Sequence, residues 1–307
     1  MAVEVHMLET AMHLARILNR TVVLPILPIL ETTNYEKSLE YYFNIPQSFP
    51  WISTDQFLRQ CNGIIDVLFH VIPDYSPFYT SSIVREIHPV WFDNIKNYWY
   101  FDCVGFKIQK VYPCQIVKKL DVGGIVKKFH SNGQAIGITY INGLLDSKIS
   151  TPERNDNNFA LHTSGPTGPS NYFINRASKF IGDQAYTAIH WRRSKTLIQM
   201  ASRVYKLQLP DLASLYECLD SQCKRLFVAS DAAEIENPPQ ILNNQIIRYY
   251  SDSPNENAIM DLALCVLAKH FIGTDISTFS HLISFLRQKA GKEVHSTNLL
   301  PSIPVNA

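Results

Sequence analysis

The sequence predicts an α/β protein with parallel sheets and helices on both faces. Two observations carry this prediction. Short apolar strands alternate with amphipathic helices from residue 173 onward, and 46% of the 307 residues are hydrophobic, which is enough to bury a full core. Such alternation is the pattern of right-handed βαβ units with parallel strands. The length allows two domains or one large α/β domain, and we place the boundary of the two-domain arrangement between residues 175 and 176.

The chain begins with an amphipathic helix that leads into a buried strand. Apolar residues recur at helical spacing through residues 3–19, and Thr21–Pro25 has the β-branched composition of a short strand. A helix followed directly by a strand is the second half of a βαβ unit. We therefore expect the N-terminal domain to lack its first strand, through truncation or loss, with a helix-first domain as the alternative.

Residues 26 to about 175 give fewer signals. Ser53 or Thr54 is placed to cap a helix that buries Phe57, and Gln134–Ile141 alternates enough to form a strand. The stretch Ser150–Ser170 is rich in polar and turn residues, and its glycines lack the spacing and the lysine of a phosphate-binding loop. We interpret it as an exposed loop or the approach to an interdomain hinge.

The second half of the chain has a regular order of elements. Apolar residues at helical spacing mark its helices, and short buried runs between them mark its strands. Gly291 is placed to end the last helix. The expected helices are Phe173–Ile181, Glu256–His270 and Ser280–Lys289, and the expected strands are Tyr186–Trp191, Arg225–Ser230, Gln245–Tyr250 and Phe271–Gly273.

Two arginines follow the first of these strands. Arg192 and Arg193 come directly after His190 and Trp191. In open α/β sheets ligands bind beyond the carboxyl ends of the strands, and the planar guanidinium fork is well shaped to grip a phosphate. The residues alone leave two interpretations equally open. They form an anion-binding site, or they close the strand through a surface salt bridge to a nearby carboxylate.

A turn rich in serine and threonine joins the strand ending at Gly273 to the next helix. Gly273 permits a tight turn, and Ser277, Thr278 and Ser280 are good helix-capping residues. The unpaired N–H groups and the positive dipole of a helix N-terminus favour a phosphate, although plain capping of a buried helix explains the same residues. This turn and Arg192 belong to the same edge of a parallel sheet, so we expect them to converge.

Composition argues against several classes of partner. The net charge of +1 is too small for broad electrostatic binding to nucleic acid or acidic membranes, and no apolar run is long enough to span a bilayer. The six cysteines lack the spacing of zinc ligands. Cys218 with Cys223, and Cys103 with Cys114, are close enough in sequence to form disulfides, and free thiols are equally consistent.

Four segments resemble the GDP-fucose protein O-fucosyltransferase family. Ile189–Arg193 (IHWRR) is similar to the family's H-x-R motif, and Phe227–Asp231 (FVASD) to its F-V-A-T-D strand. Ile259–Arg287 resembles the family segment that ends in F-I-G followed by S-S/T-F. Ile17–Pro25 resembles the family's L-L-N-R/A-T helix end and V-x-P strand. The segments occur in the family's order.

One family motif has no match in this chain. A glycine-rich G-x-x-N-Q loop precedes the first helix in the family, whereas Val3 and Glu4 stand here in the places of its Asn and Gln. In the family this loop lies against donor and acceptor. Two alternatives to a GDP-fucose-dependent fucosyltransferase stay open. They are a degenerate relative that binds nucleotide or a partner without transfer, and a different nucleotide-sugar enzyme of the same architecture.

The resemblance implies a GT-B-like fold of two facing Rossmann-like domains. Residues 1–175 would form the acceptor-side domain and residues 176–307 the domain that binds the GDP-sugar. The implied activity is metal-independent transfer of fucose, with inversion, from GDP-fucose to a protein serine or threonine or to a glycan hydroxyl. No cofactor is implied besides this donor substrate. A truncated secretory-pathway enzyme would belong in the ER or Golgi lumen, and the sequence alone leaves the location open.

The resemblance also implies roles for individual residues. Arg192 would bind the β-phosphate of GDP-fucose and stabilise the departing GDP, while Arg193 is expected to form a surface ion pair instead. Glu4 is the candidate general base, since some family members use a glutamate from this region; Glu9 is better explained as a solvent-facing or capping carboxylate. The residues expected on the donor side are His190, Arg192, Asp231, Asp261, Ser277, Thr278 and Phe279.

Overall fold

A computed structural model describes most of the chain, which divides into two compact units. The first is Val3–Thr167 and the second is Gly168–Ala307, with Met1 and Ala2 counted in the second. Among the described residues, no helix is long and apolar enough to cross a membrane. The described residues are 2–24, 26–28, 35–47, 49–73, 104–117, 120–130, 133–138, 168–193, 198–199, 201–219, 225–231, 245–293 and 296–304.

The first unit contains short strands and a few helices. Ser53 caps one of them, because its side chain accepts a hydrogen bond from the backbone N–H of Gln56 at 3.1 Å, which confirms the helix start predicted there. The elements are α1 Ala2–Ile17, β1 Val22–Leu24, β2 Ile26–Pro28, β3 Tyr35–Ser38, α2 Leu39–Tyr42, β4 Trp51–Ser53, α3 Thr54–Cys61, β5 Ile64–Ile65, β6 Val67–Pro73, β7 Lys107–Ile108, β8 Val111–Val117, α4 Val122–Phe129 and β9 Ile136–Ile138.

Parallel pairing dominates the first unit. Strands β8, β6 and β9 form a parallel sheet in that order, and β1 pairs with β4 in the same sense. The core of the three-stranded sheet joins Leu14 of α1 to Phe69 of β6 and to Ile125 and Phe129 of α4. The strand predicted at Gln134–Ile141 is found as β9 at Ile136–Ile138, and residues 139–141 lie outside the described residues.

The second unit follows the predicted order of elements. The sequence-based domain boundary at residues 175 and 176 falls inside its first helix, and the division into compact units comes before that helix. The elements are α5 Asn171–Ile181, β10 Thr187–Trp191, a π-helix Ala201–Tyr205, β11 Leu207–Gln208, α6 Leu212–Glu217, β12 Arg225–Ser230, β13 Gln245–Ile247, α7 Pro254–Leu267, β14 His270–Thr274, α8 Thr278–Lys289, β15 Thr297–Leu300 and β16 Ile303–Pro304.

Five parallel strands form the sheet of the second unit, in the order β13-β12-β10-β14-β15. The first of them in sequence, β10, lies at the centre. The chain adds β12 and β13 on one side of it and then crosses to add β14 and β15 on the other. The reversal falls between β10 and β14, and such a switch point is where open α/β sheets bind ligands.

Helices cover both faces of this sheet. On one face, Ile189 of β10 and Val228 of β12 pack in one cluster with Leu215 of α6. On the other, the Tyr186 hydroxyl, just before β10, donates to the carbonyl oxygen of Leu264 in α7 at 2.6 Å. The predicted parallel sheet between two helical layers is confirmed for this unit.

Helix α7 ends earlier than its periodicity predicted. The prediction ran to His270, but the helix spans Pro254–Leu267, with Ser253 as its N-cap. The backbone of His270 already pairs with Thr187 as the start of β14. The apolar pattern continues through this junction because a buried helix end and a buried strand start both require apolar residues, so periodicity could not locate the change.

A fully buried arginine closes the carboxyl end of α7. Nη1 of Arg287 donates to the carbonyl oxygens of Cys265 and Ala268, at 3.1 and 2.6 Å. Its Nη2 donates to the carbonyl oxygen and the hydroxyl of Ser296. Carbonyl groups at a helix end lack partners within the helix, and a cation there also meets the negative end of the helix dipole.

Candidate anion-binding site

The carboxyl ends of β10 and β12 place Arg192 next to Asp231. The two strands pair in register with Trp191 opposite Ser230, so each charged residue is the first one beyond its strand. Asp231 Oδ2 lies 2.8 Å from Nε of Arg192, and the arginine side chain is 43% exposed. An ion pair this exposed contributes about 0–1 kcal/mol to stability. The pair therefore adds little to the stability of the fold.

The ion pair occupies only one edge of the Arg192 guanidinium. Nε faces Asp231, and within the described part of the chain the two Nη groups make no hydrogen bond. An oxyanion that meets these two groups end-on would receive two parallel hydrogen bonds, the strongest geometry arginine offers to phosphate. The arrangement favours the anion-site interpretation, although a strand-closing ion pair is also present.

The side chain of Arg193 lies over an aromatic ring, whereas that of Arg192 meets a carboxylate. Its guanidinium carbon lies 5.2 Å from the centroid of the Trp191 ring, and its backbone N–H donates to Asp231 Oδ1 at 2.6 Å. Among the described residues Arg193 forms no ion pair, so the prediction of a surface ion pair at Arg193 was wrong. The carboxylate of Asp231 pairs with Arg192 instead. The position of Asp231 decides this, since the neighbouring strand presents the carboxylate to the Nε edge of Arg192.

His190 is held by a hydrogen-bond chain from α8. Its Nδ1 lies 2.8 Å from Ser280 Oγ, which also accepts from the backbone N–H of Thr274 at 3.2 Å. Burial first, and then the positive charge of Arg192, lowers the pKa of His190 from 6.5 to about 3, so the ring is neutral at physiological pH. The tautomer of the neutral ring decides whether Nδ1 donates to the Ser280 hydroxyl or accepts from it, and in either case Nε2 is the ring nitrogen that Ser280 leaves open.

Gly273 allows α8 to approach the sheet this closely. A Cβ at this position would lie 2.7 Å from Ser280 Oγ and 2.9 Å from Ser280 Cβ. The sequence predicted glycine here for a tight turn, whereas the structure requires it for close packing of a strand against a helix. The same approach sets the Phe279 ring 4.8 Å from the His190 ring, measured between centroids.

Ser277 caps α8 as predicted. Its side chain accepts from the backbone N–H of Ser280 at 3.4 Å, and Ser277 is itself buried. Thr278 is exposed and Phe279 is buried at the first turn. The positive end of the α8 dipole therefore lies beside His190, two residues before Arg192. The sequence predicted that Arg192 and this turn converge at the shared sheet edge, and the His190–Ser280 contact brings the turn to the residue two positions before Arg192.

Two buried polar atoms at this edge lack partners. Trp191 Nε1 and Thr274 Oγ1 are both buried, and among the described residues neither has a hydrogen-bond partner. Buried polar groups are otherwise almost always bonded. The carboxyl edge of β10 and β14 therefore carries polar groups that the described residues leave unsatisfied, and a bound ligand is one way to satisfy them.

Asp261 belongs to α7 and is linked to the site only indirectly. Burial raises the pKa of its carboxyl group well above the ordinary value of 3.8, while the charge of Arg248 acts in the opposite direction. Arg248 in turn donates from Nη2 to the carbonyl oxygen of Ser230 at 3.0 Å, at the end of β12. The side chain of Glu4 lies outside the described residues.

Sequence reasoning missed Arg248 and the role of Ser280. Arg248 is the first residue beyond β13, as Arg192 is beyond β10, so a search for basic residues that directly follow strands would have found it. Ser280 was singled out as a capping residue, but its contact with His190 joins residues 90 positions apart in the chain. No local signal predicts such a contact.

Metal and cysteine chemistry were also considered. Within the described ranges, no group of three or more His, Cys, Asp or Glu side chains is arranged to hold a metal ion. Cys61, Cys218 and Cys265 are free thiols. The Cys218 thiol lies 3.6 Å from the Ser214 carbonyl oxygen instead of forming one of the two disulfides considered from the sequence. Its suggested partner Cys223 lies outside the described residues.

One curated relative is similar to part of this chain. GDP-fucose protein O-fucosyltransferase 2 of Caenorhabditis elegans is 32% identical over 124 residues. The match covers 36% of this chain and 28% of the relative, so the chain spans less than a third of that protein's length in this alignment. No protein-family model matches the chain.

Crystal structures of POFUT1 are similar over nearly the whole chain. The apo form has a TM-score of 0.66 at 16% identity, and the GDP-fucose complex has a TM-score of 0.63 at 15% identity. Each match covers 97% of this chain and 93% of the other. A GDP complex of POFUT1 matches with a TM-score of 0.58. At this low identity the likeness establishes the fold, and the expected GT-B-like α/β fold with parallel sheets is confirmed.

Proposed function

We propose that this chain is a fucosyltransferase that uses GDP-fucose and transfers fucose, with inversion, to a protein serine or threonine or to a glycan hydroxyl. The observation that carries the proposal is the Arg192 guanidinium at the switch point of the second sheet, whose two Nη groups have no hydrogen-bond partner among the described residues. The similar proteins support the choice of donor, since POFUT1 crystallises with GDP-fucose and with GDP, and the curated relative is a GDP-fucose protein O-fucosyltransferase.

Arg192 would stabilise the departing GDP. As the bond from fucose to the diphosphate breaks, negative charge grows on the β-phosphate oxygens. A guanidinium already oriented by Asp231 stabilises that charge more in the transition state than in the ground state, which is the requirement for catalysis. The first-turn N–H groups of α8, beside Ser277 and Thr278, would bind the remaining phosphate oxygens, so the proposed mechanism is independent of a metal ion.

His190 would bind GDP-fucose as a neutral imidazole that donates a hydrogen bond. Its Nδ1 contacts Ser280, so Nε2 is the ring nitrogen left for a ligand, and we assign it the proton that a ligand oxygen would accept. A pKa near 3 makes the imidazole unsuited to proton transfer near neutral pH. We therefore assign His190 to binding, with the Phe279 ring beside it as an apolar wall.

Asp261 would contribute to selection of the nucleotide base. It is desolvated, and within the described residues its carboxyl group makes no hydrogen bond. A guanine ring offers an N1–H and an amino group that suit a carboxylate, whereas adenine and uracil do not offer this pair. The side chain of Asp261 is thus proposed to accept hydrogen bonds from guanine.

Glu4 stays the proposed general base, on the side of the fucose acceptor.

A calorimetric titration with GDP, UDP and ADP tests the donor class. We expect GDP to bind selectively, and Arg192→Ala to weaken it by about 10- to 100-fold, because hydrogen bonds to charged groups contribute about 1.5–3 kcal/mol. Arg193→Ala is the matched control, since it removes an adjacent guanidinium that lies over Trp191. Unchanged GDP affinity in Arg192→Ala, or equal binding of all three nucleotides, would contradict the proposal.

A second candidate function is nucleotide binding without transfer. It is favoured by one observation, the presence of Val3 and Glu4 where the resemblance expects Asn and Gln. Intact GDP affinity without donor hydrolysis or fucose transfer would support this candidate over the enzyme.

An enzyme that modifies secreted proteins or glycans meets its acceptors in the ER or Golgi lumen, and we propose that compartment for the active form.

A further inference from the structure

We infer that Asp231 is a positioning residue that holds the Arg192 guanidinium with its two Nη groups toward the phosphate. The inference rests on the proposed function, because it concerns the same anion site. The resemblance grouped Asp231 with the residues that contact the donor. The structure gives it a different partner, namely the arginine that the donor is expected to meet.

Among the described residues, the carboxylate of Asp231 contacts the turn after β10 with both of its oxygens. Oδ2 lies 2.8 Å from Nε of Arg192, and Oδ1 accepts from the backbone N–H of Arg193 at 2.6 Å. One carboxylate thereby fixes both the side chain of the first arginine and the backbone of the second. Each oxygen is already engaged with a donor, so the nucleotide is not needed to satisfy it.

The end of β12 is itself held firmly against β10. The Ser230 hydroxyl donates to the Trp191 carbonyl oxygen at 2.6 Å, and Arg248 donates to the Ser230 carbonyl oxygen at 3.0 Å. Asp231 therefore extends from a fixed backbone. A positioning role requires such support, because a residue can orient its neighbour only as well as it is oriented itself.

Electrostatics also favours positioning over direct contact. A carboxylate in contact with a diphosphate repels it, whereas the same carboxylate behind the guanidinium repels it less and fixes the fork. Asp231 lies on the Nε edge, which leaves the end of the fork for the ligand. The rival explanation is that Asp231 contacts the ligand directly, for example through a hydroxyl group, without acting through Arg192.

A double-mutant cycle distinguishes the two explanations. We would measure the binding of GDP to the full chain and to Asp231→Asn, Arg192→Ala and the double variant. If Asp231 acts through Arg192, Asp231→Asn weakens binding by about 3- to 30-fold in the wild-type background and has no further effect in Arg192→Ala. Losses that simply add, or no loss in the single variant, would overturn the inference.

Two controls separate positioning from a general effect. Asp183→Asn removes the same charge from an exposed site between α5 and β10, at the opposite edge of the sheet, and should leave affinity unchanged. Asp231→Glu keeps the charge and should restore part of the affinity. Thermal unfolding of Asp231→Asn should stay close to wild type, since an exposed ion pair contributes little to stability.

Inorganic pyrophosphate serves as a second probe in the same cycle. If wild type binds pyrophosphate and not GDP, the proposed function fails, and the coupling of Asp231 to Arg192 is read from pyrophosphate instead. If wild type binds neither, the anion site and the positioning role are both rejected. If it binds both and the coupling is absent, only the positioning role is rejected.

Discussion

At the scale of single residues, the most informative property is the neutral state of His190. Burial keeps its pKa near 3 in the folded chain, against 6.5 for the exposed group. Below pH 6.5 the unfolded chain therefore binds a proton that the folded chain excludes until the pH approaches 3. The unfolded state binds more protons over this range, so this residue makes the folded state less stable as the pH falls.

Replacing His190 should remove that pH dependence. We expect the free energy of unfolding of His190→Asn to fall less than that of wild type between pH 7 and pH 4.5, measured by urea denaturation at several pH values. Asp261 changes the free energy of unfolding in the opposite direction: its pKa is raised, so it makes the folded state more stable as the pH falls. Variants must therefore be compared with wild type at each pH. His130→Asn, at an exposed position in the first unit, is the control. Parallel pH profiles for wild type and His190→Asn would contradict the buried neutral state.

The sequence identified most of the residues of this site but few of their contacts. The side chains of Arg192 and Ser277 were predicted from local rules, namely the strand end and the helix cap. Which arginine meets a carboxylate was not, because this depends on the register of β10 against β12 and so on Asp231, far along the chain. The same limit applies to Ser280, whose partner His190 lies on another element.

At the scale of elements, the packing of α8 against β14 depends on the absence of a side chain at Gly273. An added Cβ would lie within 2.9 Å of both side-chain atoms of Ser280, so the helix itself must move. We expect Gly273→Ala to reduce the free energy of unfolding by about 1–3 kcal/mol, as overpacked cores do. It should also weaken GDP binding, because Ser280 is displaced from His190.

A matched glycine exists in the first unit. A Cβ at Gly123 in α4 meets nothing closer than 3.7 Å, so Gly123→Ala should be neutral or stabilising by about 0.5–1 kcal/mol, as expected for alanine in a helix. Urea denaturation and GDP titration of both variants give the comparison. A Gly273→Ala variant as stable as wild type would mean that α8 is not constrained in this way.

Element order in the second unit followed from hydrophobic periodicity, whereas strand order did not. The alternation of strands and helices predicted parallel pairing, but nothing local places β10 at the centre of five strands. In the first unit even the strands were hard to find. β5 and β7 have two residues each, too few to show a period, and they are defined only by pairing with each other.

At the scale of the whole molecule, the two compact units should respond differently to nucleotide. The proposed donor site uses β10, β12 and α8, all within Gly168–Ala307. A ligand that binds only the folded state stabilises it by about 2.7 kcal/mol when its concentration is 100 times Kd. We expect GDP to slow amide hydrogen exchange first in residues 187–193 and 274–281. Exchange in α4 of the first unit should change little.

Arg192→Ala is the control for this effect, since its weaker binding should reduce the protection at the same GDP concentration while leaving the exchange pattern without nucleotide intact. UDP should give weaker protection in the same peptides, because the proposed site selects the base as well as the diphosphate. Equal protection of Val122–Phe129 and of the β10 turn would contradict a donor site confined to the second unit. That result would mean that the first unit, which carries Glu4, also contacts the nucleotide. The role of Glu4 as the proposed general base would then have to be reconsidered.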